Sequence, residues 1–161
     1  MRKSIIQVIP SVFLFLISGY SNFALAHDVS GSLGKANSGS VATDIYQVSC
    51  SNDGSGEPTK LMFQVIDKAP VKKPTISIQA VKIDTGERSI VSTDPKDGDK
   101  NYSPLVGFAP IGGGTGAYQM IITKSQTAPI VKGVELYKAL YHCYTATNGH
   151  TGTERIMTKN Q

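Results

Sequence analysis

Three histidines offer the best metal-binding chemistry in this sequence. A small-x-small pattern ending at Ala26 predicts signal-peptidase cleavage there, which would make His27 the first residue of the mature chain. An N-terminal histidine presents its α-amine and a ring nitrogen to one metal ion, and such nitrogens suit Cu(II). His142 or His150 would supply the second imidazole. The alternative interpretation is that His27 only begins a flexible tail.

The start of the chain has the order of features of a signal peptide over residues 1–26. Arg2 and Lys3 form a basic region, and an apolar run follows from residue 5 to residue 19. That run is shorter than the roughly 20 residues that cross a bilayer, and Pro10 interrupts it. We therefore predict cleavage rather than a retained anchor, with no membrane span after cleavage and an exported protein that is periplasmic or extracellular.

The two cysteines, Cys50 and Cys143, fit this compartment. An exported protein with an even number of cysteines usually pairs them, so we predict a disulfide that ties an early strand to a late one. The alternative is a metal site in which the cysteines act with His142 and His150. Zinc sites usually contain closely spaced cysteine pairs, and none occurs here, so the disulfide is preferred.

Composition excludes one class of partner. The full chain has 16 basic and 12 acidic residues, for a net charge of +4, and loss of the leader would reduce it to about +2. Lys72 and Lys73 form the only adjacent basic pair after the leader. A nucleic-acid-binding surface needs a basic patch or stripe, so we expect no nucleic-acid partner.

The remaining chain predicts an all-β fold. Glycines in residues 27–39 indicate a flexible lead-in, and residues 40–161 then form one domain. Apolar and polar residues alternate in short runs separated by Gly, Pro and Asp turns, and no run keeps helical periodicity. We expect about seven or eight strands in an antiparallel β-sandwich or jelly roll. The clearest predicted strands cover residues 46–50, 61–66, 76–81, 118–122, 134–145 and 154–158.

Several short pieces resemble the bacterial pre-peptidase C-terminal domain family, a group of small secreted β-sandwiches. The pieces occur in that family's order over residues 40–145 and are Asp44-Ile45-Tyr46, Leu61 to Ile66, Ile83-Asp84-Thr85-Gly86, Gly116 to Ile122, and Val134 to Tyr137. The cysteine pair and the lack of an attached protease depart from the family. The resemblance implies an accessory or binding module, although a fold does not fix a function.

A calcium site is a second metal hypothesis. Asp97, Asp99 and Asn101 place side-chain oxygens at alternate positions, as calcium loops do. An EF-hand-type loop also needs glycine at its sixth position and an acidic residue at its twelfth, where this chain has Tyr102 and Phe108. A solvated turn is therefore the preferred interpretation, with oxygens from elsewhere needed to complete a site.

A binding patch is expected at the end of the predicted strand 134–145. There His142 and Tyr144 lie on the face opposite Cys143, and a fold-back of the chain would bring His150 to them. The alternative is that Asn148-Gly149 simply forms a hairpin turn.

No catalytic motif is present in the sequence. It has neither a Gly-x-Ser-x-Gly elbow nor a phosphate loop at its glycine-rich segment 112–116. We therefore expect a non-enzymatic binding or accessory protein without a cofactor, whose partner is an extracytoplasmic protein or glycan. The alternative is a periplasmic copper-binding protein that uses His27.

Overall fold

The computed structural model describes residues 27–34, 42–69, 75–124 and 133–161. Within these ranges the chain has strands and turns and no helix. The predicted signal peptide, residues 1–26, lies outside the described residues. The strands are β1 His27–Leu33, β2 Thr43–Ser51, β3 Lys60–Lys68, β4 Ile76–Lys82, β5 Ser92–Thr93, β6 Val106–Phe108, β7 Gly116–Lys124, β8 Glu135–Tyr144 and β9 Gly152–Lys159.

The strands form two antiparallel sheets that pack as a β-sandwich. One sheet has the order β1-β8-β3-β6, and the other has the order β5-β4-β7-β2-β9. The all-β sandwich predicted from the alternation is therefore confirmed. The described residues contain nine strands, and the expected seven or eight did not include β1. Strands β5 and β6 span only two and three residues.

Alternation of apolar and polar residues sets the inner faces. In β2 the buried positions include Tyr46, Val48 and Cys50, and the residues between them are only partly covered. The same period of two holds in β7 and in most of β8. A single hydrophobic core of residues from both sheets fills the space between them.

A disulfide and a buried hydrogen bond link β2 to β8 across the two sheets. The predicted disulfide between Cys50 and Cys143 is confirmed, with 5.6 Å between the Cα atoms, so the cysteines are not metal ligands. At the other end of the same strands, the Tyr137 hydroxyl donates a 2.5 Å hydrogen bond to the Asp44 carboxylate. The Tyr46 and Tyr137 hydroxyls also lie 2.6 Å apart. The same number of residues separates Asp44 from Cys50 in β2 and Tyr137 from Cys143 in β8. The two cross-sheet links therefore hold β2 and β8 in a fixed alignment.

The prediction of a flexible lead-in is wrong for His27–Leu33. These residues form β1, an edge strand that pairs with β8 in the register His27–Tyr141 to Leu33–Glu135. Leu33 is fully buried. Gly31, taken from the sequence as a sign of flexibility, instead allows close packing, since a Cβ there would lie 2.4 Å from the Tyr137 hydroxyl oxygen. Residues 35–39 lie outside the described residues.

Candidate metal-binding site

The three histidines of the chain meet at one end of the sandwich. The antiparallel pairing of β1 with β8 places His27 opposite Tyr141, beside His142. The Nδ1 atoms of His27 and His142 lie 3.2 Å apart, although 115 positions separate the two residues in the chain. The first residue of β1 and the end of β8 therefore share one site.

A tight turn after β8 brings the third histidine to the same place. The backbone N–H of Thr145 donates to the Gly149 carbonyl over 2.8 Å. Asn148 has a positive φ of 63°, a conformation that Asn tolerates better than most residues. An isolated bridge then pairs His150 with Tyr144. The turn expected at Asn148-Gly149 and the expected approach of His150 are thus parts of one local structure.

His142 lies at the centre of the resulting cluster. Its ring centroid is 5.0 Å from that of His27, 3.7 Å from that of His150 and 5.4 Å from that of Tyr144. The rings of Tyr144 and His150 meet edge to face at 4.6 Å. These neighbours cover His142 so well that it is only 4 % exposed, although its strand neighbour Cys143 points into the core.

The histidines open onto a polar cleft of about 720 Å³. Its other walls are small and polar residues of segments 51–55 and 148–154. Thr151 fixes these segments to each other, because its hydroxyl lies 3.0 Å from the Ser51 carbonyl oxygen and 2.7 Å from that of Gly56. The site therefore combines a rigid wall with access from solvent.

The surroundings keep two of the imidazoles neutral. Burial lowers the pKa of His142 to about 4, and the nearby His150 and His27 act in the same direction. Burial, followed by the influence of His27, also lowers the pKa of His150. Only an unprotonated imidazole nitrogen can bind a metal, so His142 is ready for that role near neutral pH.

The spacing of the ring nitrogens fits two ligands of one metal ion. Imidazole nitrogens lie about 2.0–2.1 Å from metals such as zinc, so a 3.2 Å separation corresponds to a ligand–metal–ligand angle of about 100°. His150 adds a buried Nδ1 atom that has no hydrogen-bond partner among the described residues. The three histidines do not place one nitrogen each within 4.8 Å of the other two. His27 and His142 are therefore the core of the site, and His150 is an adjacent third donor.

The predicted calcium loop has a different arrangement. Asp99 accepts hydrogen bonds from the backbone N–H of Asn101, at 2.7 Å, and from its side-chain amide, at 3.0 Å, as in a local turn. Asp97 instead has a carboxylate oxygen within 4.8 Å of oxygens of Asp67 and Glu135. The structure thus separates Asp97 from the loop pattern and places it in an acidic cluster that the sequence analysis missed.

The sequence does contain a signal for that acidic cluster. Asp67 has the same parity in β3 as the buried Leu61, Phe63 and Val65, and Glu135 has the parity of the buried residues of β8. Alternation alone therefore places both carboxylates on inward-facing positions.

Comparison of the chain with protein-family models, curated proteins and solved structures gives no significant match. The resemblance to the pre-peptidase C-terminal domain family stays a prediction. Among the described residues, no helix is long and apolar enough to cross a membrane.

Proposed function

We propose that this protein is an exported, non-enzymatic copper-binding protein whose site is built on His27 and His142, with His150 beside them. The proposal includes cleavage after Ala26, which gives His27 a free α-amine. The observation that carries it is the 3.2 Å approach of the His27 and His142 Nδ1 atoms. The proposal also gives the broader binding-module hypothesis a specific ligand, because the site offers nitrogen donors for a metal ion.

The Nδ1 atom of His27 is the nitrogen that copper chelation requires. In an N-terminal histidine, the α-amine and Nδ1 close a six-membered ring with a metal ion, whereas Nε2 points away. The contact with His142 is made by this same Nδ1 atom. A copper ion held by the chelate would therefore have the His142 nitrogen within reach, which gives three nitrogen ligands of the kind that Cu(II) favours.

Strand β1 supplies the rigidity that a flexible tail lacks. Its pairing with β8 starts at His27 itself, and Val29 and Leu33 anchor it in the core. A preorganised site loses less conformational entropy on binding than a mobile tail does. The objection that a terminal histidine has no fixed position therefore does not apply here.

The Cys50–Cys143 disulfide supports export. Disulfides persist mainly in oxidising compartments such as the periplasm and the cell exterior. The signal peptide expected in residues 1–26 leads to the same compartment. In such a place copper is available as Cu(II), for which an amine and imidazole donor set is suited.

The test begins with intact mass analysis of the exported protein to establish its first residue. Titration with Cu(II) against a competing chelator, followed by electron paramagnetic resonance, should then show one copper ion per chain with nitrogen ligands. We expect His142→Gln to weaken binding by at least about 100-fold, because changes even beyond the direct ligands reach 10–100-fold. An additional alanine before His27 should also weaken binding. It keeps the His27 imidazole but converts the α-amine of His27 into a peptide nitrogen, so the chelate loses its amine ligand.

Tyr144→Phe is the matched control. It keeps an aromatic ring against His142 and His150 and removes no nitrogen, so copper affinity should stay at the wild-type value. The proposal fails if the mature chain begins elsewhere. It also fails if the folded protein binds copper no more tightly than a free peptide of residues 27–33.

A further inference from the structure

A second cluster of charged groups lies far from the histidines. Asp67 is near the end of β3, Asp97 is in the loop after β5, and Glu135 begins β8. One carboxylate oxygen from each lies within 4.8 Å of the other two. Glu135 and His142 are roughly 20 Å apart along β8, given a rise of about 3.3 Å per residue. The acidic cluster is therefore separate from the candidate copper site.

Two of these carboxylates are buried without a well-formed hydrogen bond. Asp67 and Glu135 have no exposed surface, and none of their four carboxylate oxygens has a hydrogen-bond partner of ordinary geometry among the described residues. Burying an unpaired carboxylate is costly, so such groups normally pair, coordinate a metal or take up a proton. Their common direction, towards one another and Asp97, favours a shared positive partner.

The backbone around the cluster is held in place. The Asp67 N–H donates to a carboxylate oxygen of Asp94 over 2.7 Å, and the Gly98 N–H donates to the Asp67 carbonyl over 3.1 Å. These bonds fix the loop that carries Asp97 against β3. The three carboxylates therefore come from a preformed arrangement rather than from a chance approach of exposed side chains.

Charge and ligand type favour a divalent cation. Lys124 is buried, its amine donates to the Gly133 carbonyl, and its charge acts on Glu135. With the neighbouring Asp94 carboxylate, which also acts on Asp67, four carboxylates and one lysine leave a net charge of about −3 when all are ionised. The three carboxylate oxygens lie within 4.8 Å of one another, close enough for one cation with calcium–oxygen distances of about 2.3–2.6 Å to contact them all. Magnesium usually keeps several waters and binds through one or two carboxylates, so a set of three protein carboxylates favours calcium.

We propose that Asp67, Asp97 and Glu135 form a calcium-binding site that links β3, β8 and the loop between β5 and β6. This set differs from the loop pattern of Asp97, Asp99 and Asn101. In the absence of calcium, burial raises the pKa of Asp67 to about 8 and that of Glu135 to about 7, with the neighbouring Asp97 charge acting in the same direction.

The test is thermal unfolding at about pH 8, with the chelator-treated protein compared with protein in about 10 mM calcium. Extracellular calcium modules bind with Kd values of about 10⁻⁴–10⁻³ M. Mass action at that affinity predicts a Tm rise of about 5 °C for a domain of this size. Magnesium at the same concentration should give a smaller rise. Calorimetric titration should give one calcium ion per chain.

The isosteric variant Glu135→Gln should abolish the calcium-induced rise. A cooperative calcium-free unfolding transition in this variant would show that it folds, which separates lost binding from lost folding. Asp99→Asn lies on the same loop outside the cluster and should keep the full response. A wild-type Tm unmoved by calcium, or an undiminished response in Glu135→Gln, would overturn the proposal.

The calcium proposal stands independently of the copper proposal. His142→Gln should keep the full calcium response, and Glu135→Gln should keep its copper affinity. If either protein fails to bind its metal, the result at the other site can still be read separately.

Discussion

The buried imidazole of His142 should make stability depend on pH in a way that one substitution can isolate. The pKa of His142 falls from an ordinary value of 6.5 to about 4 in the folded protein. At about pH 5 the unfolded chain therefore binds a proton at this position and the folded protein does not. Lowering the pH through this window favours unfolding, because the unfolded state takes up more protons.

The size of the effect follows from these two pKa values. One pKa unit corresponds to 1.36 kcal/mol, and about pH 5 lies about 1.5 units below the unfolded pKa while still above the folded one. His142 should therefore lower the free energy of unfolding by about 2 kcal/mol between about pH 7 and about pH 5. The full loss, below the folded pKa, is about 3 kcal/mol.

The measurement compares the wild type with His142→Gln at several pH values in the presence of a metal chelator. Denaturant unfolding can be followed by tyrosine fluorescence, since the chain has seven tyrosines and no tryptophan. The pH dependence of the wild-type free energy of unfolding cannot by itself identify His142. Asp67 and Glu135 have raised pKa values, so their contribution stabilises the folded protein as the pH falls, opposite to that of His142. The difference in free energy of unfolding between the wild type and His142→Gln isolates the contribution of His142. Between about pH 7 and about pH 5, this difference should change by about 2 kcal/mol, with the variant becoming relatively more stable.

Tyr144→Phe again serves as the control, because it alters the same patch without removing an imidazole. Its difference from the wild type should be the same at both pH values. If the difference between the wild type and His142→Gln is also unchanged, then His142 accepts a proton normally in the folded state, and the inference that burial keeps it neutral is refuted.

Two further predictions concern the hydrogen bond and the disulfide that link β2 to β8. Tyr137→Phe should lower the free energy of unfolding by about 2 kcal/mol, because it removes a buried hydrogen bond to the Asp44 carboxylate, and denaturant unfolding would contradict this if the loss were negligible. Replacing Cys50 and Cys143 with alanine should cost about 4–5 kcal/mol, given the 93-residue separation of the pair. A thiol assay on the unfolded, unreduced wild type should find no free cysteine, and two reactive thiols would contradict the bridge.

Local patterns predicted most of the fold. The alternation in β2, β3, β7 and β8 identifies their inward faces, because successive side chains of a strand point to opposite sides. The pairing of Cys50 with Cys143 followed from cysteine number and compartment. Strand β1 escaped notice because Gly31 was taken as a mark of flexibility, whereas it accommodates the Tyr137 hydroxyl of a strand far away in the chain.

The residues of the candidate site were named from the sequence, but their arrangement was not. His27 and His142 become neighbours only because β1 pairs with β8, and nothing local to either histidine specifies that pairing. The acidic cluster shows a different omission. Asp67 and Glu135 stand at inward-facing positions that alternation can reveal, yet only the packing of the loop that carries Asp97 shows that they meet.

The sequence by itself determined the chemistry available: three imidazoles, two cysteines, inward-facing carboxylates and short pleated strands. These properties follow from residue type and from a period of two, which act over a few positions. The tertiary structure decided which groups meet, since strand order and register are set by burial across the whole sandwich. The 3.2 Å approach of His27 to His142 is a product of that long-range pairing.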